Sequence, residues 1–420
     1  MRKNTMGNLY INIIMIFWAL SLIGFPIVGT VDWTDKVFII LYCGFNYVLL
    51  FMGYHSIRPK VEHLKGQENT SFIISSKSET LFVISAILNI IICIENVTTY
   101  YSSISEMTSF LSRPAQSYEY VKFLRRHGDI SEDGSFFGTL LNCFTFTKYI
   151  VFDLVLIYWK NLKKGSRIIA VSSMIIYFLH SILIGALINF GGIAVSMLPE
   201  LLIVSSKSGR LRDGFRKNRK WIIIFVVAVS FLLINFMGQR NVFHLANARG
   251  TSVWLSGILG ILHYISFGYN GLAECMHLPF ESTFLYTTFR GIAVKLPIPN
   301  LFVYSYLYRN QMNGGQNALQ SWATIFPWLA SDFSFFLIPV IFFLLGRFMK
   351  RAWNYAFYDK KKSAVLMCGQ MSIFAFMTIA NNQLFHTFLN AVGTIVIYLL
   401  YKFEGRIRFT VGNNKRYIKG

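Results

Sequence analysis

Apolar positions in this sequence run in unbroken blocks, and polar positions collect in the segments between them. The blocks are about 16–24 residues long, the length of a helix that crosses a bilayer. Ten spans are predicted, at 8–30, 37–56, 79–97, 136–159, two within 168–206, then 221–238, 333–349, 363–381 and 384–401. The stretch 168–206 is too long for one crossing, and Asn189-Phe190-Gly191-Gly192 supplies a turn near its middle. The first block follows Arg2 and Lys3 as a signal peptide would. It is long and lacks a small-x-small cleavage site, so it reads as a retained helix.

Two intervening segments are large, 98–135 and 239–332, and long loops tend to carry function. The second contains an apolar run from Trp254 to Met276. Leu255, Leu259, Leu262, Ile265 and Leu272 fall on one helical face, with Ser256, Gly260, His263, Phe267 and Asn270 on another. This pattern fits a helix lying on the membrane or walling a cleft. If the run crosses, a further crossing within 284–308 brings the count to twelve. There is no internal repeat and no separate soluble domain. The chain therefore reads as one all-α polytopic membrane domain, 1–420.

Composition sharpens this picture. Of the 420 residues 54% are hydrophobic and 14% charged, against about 25% charged in soluble domains. Mean hydropathy is +0.48. A soluble enzyme, a DNA-binding module and a secreted disulfide scaffold are excluded. The five cysteines show no metal-site spacing, and Cys275 alone stands in a long polar-flanked region. The net charge of +21 would suit nucleic acid, but its distribution fits the positive-inside rule better. With both termini in the cytoplasm, the inside segments hold 29 of the 40 Lys and Arg. Most acidic residues then fall outside. No nucleic-acid partner is expected.

The outer loops hold the candidate chemistry. Arg240, Arg249, Arg290 and Arg309 break the charge bias, and a planar guanidinium can grip a phosphate or pyrophosphate through paired hydrogen bonds. Headgroup contact or pairing with Glu274 and Glu281 is the alternative. If the segment is helical, His244 shares a face with Arg240, and it is a candidate base; His263 and His277 are weaker ones. Asp332, at the mouth of the eighth span, is either a general base, an arginine partner or an N-terminal helix cap. Tyr304, Tyr306 and Tyr308, with Trp322 and Trp328, offer aromatic faces for sugar stacking or belong to the interfacial belt. Within the spans, Lys148, Asp153 and Glu200 form either a proton path or contacts between helices. No metal, nucleotide or nucleophile-elbow motif is present.

Three stretches resemble bacterial O-antigen polymerases, the oligosaccharide repeat unit polymerases. They are the paired spans turning at Asn189-Phe190-Gly191-Gly192, the long outer loop after the seventh span, and the segment from Asn317-Ala318-Leu319-Gln320-Ser321-Trp322-Ala323-Thr324 through Ser331-Asp332-Phe333-Ser334-Phe335-Phe336 to Leu344-Leu345-Gly346-Arg347. Members often carry an Asp-Phe-Gly-like step, where this chain has Ser334. They also often carry arginine after the paired glycines, where this chain has Ile193. The resemblance implies the C-type glycosyltransferase fold in a bacterial inner membrane. The implied enzyme joins undecaprenyl-diphosphate-linked repeat units into O-antigen or capsule at the outer face. Its partners would be the lipid-linked donor and acceptor glycans, membrane lipid and a chain-length regulator protein. The donor is already activated, so no cofactor is expected. The arginines would stabilise the leaving diphosphate, and Asp332 or His244 would take the acceptor proton. The rival class is a lipid-linked oligosaccharide flippase or other secondary transporter, which usually has shorter loops and two related halves. A membrane acyltransferase would need an early His-and-Arg arrangement that is missing.

Overall fold

The computed structural model describes residues 3–58, 76–111, 117, 120, 121, 123, 124, 136–184, 187–207, 234, 252–317, 319 and 323–404. Every regular element among these residues is helical. In chain order the helices are α1 (Lys3–Val28), α2 (Trp33–His55), α3 (Ser76–Tyr100), α4 (Ile104–Leu111), α5 (Phe136–Asn142), α6 (Thr147–Tyr158), α7 (Lys164–Leu183), α8 (Leu187–Ser196) and α9 (Leu198–Lys207). They continue with α10 (Val253–Ser266), α11 (Gly268–Met276), α12 (Arg290–Ala293), α13 (Tyr306–Met312), α14 (Phe326–Phe357), α15 (Lys362–Met377) and α16 (Phe388–Phe403).

Among the described residues, six helical runs are long and apolar enough to cross a membrane: α1, α2, α3, Leu140–Tyr158 across α5 and α6, α7, and α14. Asn189–Ser205, α15 and α16 are apolar but shorter. The side-chain distribution suits a helical membrane protein. Leu20, Ile23, Ile27, Phe38, Leu41 and Phe336 point outward, as lipid-facing residues do. The interior is held by close packing and polar links, because burial of apolar surface does not drive helices together in lipid. Trp18 stacks on Tyr47 with centroids 4.0 Å apart and donates its indole N–H to the Ala375 carbonyl at 2.7 Å.

Among the described residues, helices α2 and α14 pack against each other most extensively. Gly53 faces the Phe343 carbonyl and Gly346 faces the Leu50 carbonyl, each so closely that a Cβ would overlap it. Two glycines thus bring the backbones together. Within α14, Pro339 has no N–H to offer the carbonyl of Phe335, four residues earlier. The Tyr42 hydroxyl of α2 donates to that carbonyl at 2.7 Å.

Helix α14 is broken. Ser334 has φ 59° and ψ 157°, a region that glycine enters freely and other residues at a cost. Before the break, every residue of Phe326–Asp332 is buried. After it, the helix continues to Phe357. Irregular backbone at this depth is tolerated only where protein covers it.

Three expectations change. Asn189, Phe190, Gly191 and Gly192 lie inside α8, and the chain leaves α7 at Ile184 instead. Glycine does not stop a helix whose backbone bonds have no competing water. The eighth span begins at Phe326, with Pro327 in its first turn, so Asp332 lies within the helix and is not its N-cap. The tenth span begins at Phe388, where Thr387 caps Asn390 N–H, which puts 384–387 in the preceding turn. The expected seventh span, 221–238, lies outside the described residues apart from Ile234.

Helix α10 packs against α1, with Leu262 and Ser266 seated over Gly24. Its small face, Ser256 and Gly257, is buried, whereas Leu255, Ile258 and Leu259 are exposed. That is the arrangement of a helix that turns its apolar side to lipid.

Candidate functional site

Among the described residues of 277–325 regular structure is limited to short helical pieces, so their arrangement depends on hydrogen bonds to the helices beneath. The buried start of α14 supplies them. Ser331 accepts from Tyr306 N–H at 3.0 Å, and its carbonyl accepts from Thr283 N–H at 2.9 Å. One carboxylate oxygen of Asp332 accepts from Thr288 N–H at 2.7 Å, and the other from the Thr283 hydroxyl. Asp332 is only 8% exposed. Both of its oxygens are thus occupied by the segment 283–288, and no cation pairs with it among the described residues.

Thr288 is held from a second side. Its carbonyl accepts from the Asn382 side chain at 2.6 Å. Gly291 N–H then donates to the Phe385 carbonyl at 2.8 Å. A Cβ on Gly291 would overlap the Thr387 carbonyl, so only glycine permits this docking. The outcome is that Thr288–Gly291 lies on the turn between α15 and α16, and Arg290 comes to rest beside His386.

Arg290 sits over the Phe302 ring, 5.1 Å from its centroid, and no carboxylate among the described residues pairs with it. Burial works against its charge. Burial, and then the Arg290 charge, hold His386 down at about 4. At neutral pH that imidazole is an uncharged base. The Trp328 ring meets His386 edge-on with centroids 5.3 Å apart. Around them, Arg290 Nε, Trp328 Nε1 and Thr288 Oγ1 are buried with no partner among the described residues. Buried polar atoms are ordinarily satisfied, so such a group calls for water or a ligand.

The other candidates are placed as follows. Arg309 is paired: it donates to Glu281 at 2.7 Å and to the Pro279 carbonyl at 2.7 Å, and covers the Tyr306 ring. Glu274 binds Asn310 and the Gln316 N–H instead of an arginine. Tyr306 is buried between Arg309 and Phe335, whereas Tyr304 is half-exposed. His277 pairs with Asp35 at 3.1 Å, and His263 is exposed beside Phe267. Arg240, Arg249, His244 and Trp322 lie outside the described residues. Asp153 and Glu200 find polar partners across helices: Asp153 accepts from Ser196 at 2.7 Å and Glu200 from Ile157 N–H at 3.0 Å. Among the described residues no three His, Cys, Asp or Glu side chains gather as metal ligands.

His386 was not a sequence candidate. It follows Leu384 and Phe385 and precedes Phe388 and Leu389, so an apolar count places it inside the tenth span. The available signal was Asn381-Asn382-Gln383 just before it, a polar run too long for a tight membrane turn. Comparison of the chain with protein-family models, with curated proteins and with solved structures finds no match.

Proposed function

We propose that the chain is a membrane-embedded glycosyltransferase that joins lipid-diphosphate-linked oligosaccharide units, working at the outer ends of its helices. One observation carries the reading: Arg290 is half-buried with no acidic partner among the described residues, beside an uncharged histidine. An unneutralised guanidinium in a water-poor site is suited to negative charge that grows during reaction.

In the proposed step an acceptor sugar hydroxyl attacks the anomeric carbon of the donor glycan. The new glycosidic bond forms as the bond to the lipid diphosphate breaks. The diphosphate leaves with the bonding electrons and is stabilised by Arg290. The hydroxyl proton passes to His386, which is uncharged at neutral pH and whose protonated form is favoured as the departing diphosphate brings negative charge beside it. Asp332 has both oxygens engaged and is assigned to hold Thr288, and through it Arg290. Tyr304 offers its exposed ring to a sugar. Arg240, Arg249 and His244 remain candidates for the same task.

The break in α14 favours a second reading, a transporter, because discontinuous helices also form transport sites. One experiment separates the two. A deletion strain whose surface glycan stops at one repeat unit lacks a polymerase. Complete loss of surface glycan marks a flippase and overturns the proposal.

A further inference from the structure

Among the described residues Lys148, like Arg290, is a cation with no opposite charge beside it. Lys148 lies in the first turn of α6, over the rings of Tyr149 and Tyr177 at 5.1 and 5.7 Å from their centroids. No carboxylate among the described residues pairs with it. Asp153, on the same helix, accepts from Ser196 through one oxygen and sets the other against Gly369. The position is unfavourable in two ways. An ammonium within a membrane bundle is costly, and the first turn of a helix is its positive end. Aromatic faces return only part of that cost.

Lys148 lines a cleft between α6, α15 and α16, together with Gln370, Gln383, Asn390 and Thr394. Gln370 is 2% exposed. Its Oε1 accepts from the Thr394 hydroxyl at 3.4 Å, which leaves Nε2 as its free end. That nitrogen has no partner among the described residues. The wall therefore presents an ammonium and an amide N–H, both donors, and the missing partner is an acceptor. Water would satisfy the amide but would not neutralise the lysine. A phosphate, which carries several anionic oxygens, can accept from the amide and neutralise the lysine.

The neighbourhood narrows the ligand further. Phe146 lines the cleft, and Phe144 and Leu140, just before it, are exposed apolar residues. A head of anionic oxygen joined to an apolar tail matches both surfaces. Gln383 and Leu384 also line the cleft, so it lies below the turn that carries His386, at the headgroup end of the helices.

We propose that the Lys148 cleft binds the phosphate of a lipid, either a membrane phospholipid or a polyprenyl phosphate. The assignment is independent of the glycosyltransferase reading.

The test uses the full-length protein in detergent with tail-diazirine analogues of phosphatidylglycerol and of polyprenyl phosphate. Irradiation of the wild type should concentrate adducts in 140–149 and 389–394, and the analogue that labels identifies the lipid. Lys148→Met should cut that labelling about tenfold while Lys148→Arg keeps most of it, as expected for loss of one charge-assisted contact. Gln370→Leu should weaken it to a lesser degree. Adducts spread evenly over the lipid-facing helices of the wild type would overturn the proposal, whatever the variants do. So would unchanged labelling in a folded Lys148→Met protein, or complete competition by millimolar inorganic phosphate, which would show that the tail adds nothing.

Discussion

At the scale of single residues, the difference between two arginines matters most. Arg309 has Glu281 and a carbonyl to hold; Arg290 has an aromatic ring and a neutral histidine. Composition and charge bias pointed to outer-loop arginines as a class, but pairing is a tertiary property that the sequence does not display. Loss of one preorganised charge donor typically lowers turnover about 100- to 1,000-fold. Arg290→Ala is expected to do so in polymer formation from lipid-linked repeat units. Arg290→Lys should also be impaired, because the planar fork is lost. Arg309→Ala should mainly lower the unfolding temperature of the outer segment. Full-length polymer from a normally expressed Arg290→Ala strain would remove Arg290 from the site. His386 adds a pH dependence whose sign is fixed. Its folded value, about 4, lies below the ordinary histidine value of about 6.5. Unfolded chains therefore bind its proton first as pH falls. Its contribution to stability is full above about pH 6.5 and is lost between there and about pH 4. For a partly buried group this is of the order of 1 kcal/mol at pH 5. Thermal melts at pH 7 and pH 5 should show a decline that His386→Gln reduces; equal declines in both proteins would contradict it.

At the scale of elements, apolar length gave most helices but not their interruptions. Spans α1, α2 and α3 fall within a few residues of their predicted limits, because a run of apolar residues has one reading in lipid. The break in α14 was hidden, since Asp332-Phe333-Ser334 sits inside a continuous apolar pattern and the start Phe326-Pro327-Trp328-Leu329 is as apolar as a span. The pair Gly191-Gly192 looked like a turn and is helical. Two substitutions test these elements. A residue held in the glycine-favouring region costs about 1–3 kcal/mol, and glycine gives back up to about 1 kcal/mol in chain entropy. Ser334→Gly should therefore leave the melting temperature unchanged or raise it, while Ser334→Val should lower it. A clear loss of stability in Ser334→Gly would show that the serine is not strained. Gly291→Ala acts on the docking of 288–291 against 382–387. The added methyl displaces Arg290 from His386 without touching either side chain, so polymer formation should fall as in Arg290→Ala while the spans stay folded. Protease resistance of the helices, measured alongside polymer length, separates this from global unfolding.

At the scale of the molecule, the loops sort to two ends. Lys163 N–H and the Ser166 hydroxyl bind Glu79 at 3.0 and 2.7 Å. Lys362 reaches Ser78 at 3.2 Å, and Glu404 accepts from the N–H groups of Lys362 and Ser363. These contacts gather the basic turns 160–167 and 347–362 and the start of the C-terminal segment at one end of the bundle. Arg290, His386, Tyr304 and the Asp35–His277 pair stand at the ends of α2, α11, α14 and α16 that face away from it. The charge bias read from sequence and the grouping of loops in space were obtained from different information, and they agree on which loops share a side. By the positive-inside rule the basic end is expected to face the cytoplasm. Reporter fusions at Lys361 and Lys217 are expected to give a cytoplasmic signal, and fusions at Asn313 and Glu132 an external one. Lys217 and Glu132 are the sharper positions, because they test segments outside the described residues and so the parity of the seventh span at 221–238. An external signal at Lys361 would invert the protein and move Arg290 and His386 to the side where ATP is present. The lipid-linked donor would then need no outer-face chemistry, and the glycosyltransferase reading would have to be abandoned together with the topology.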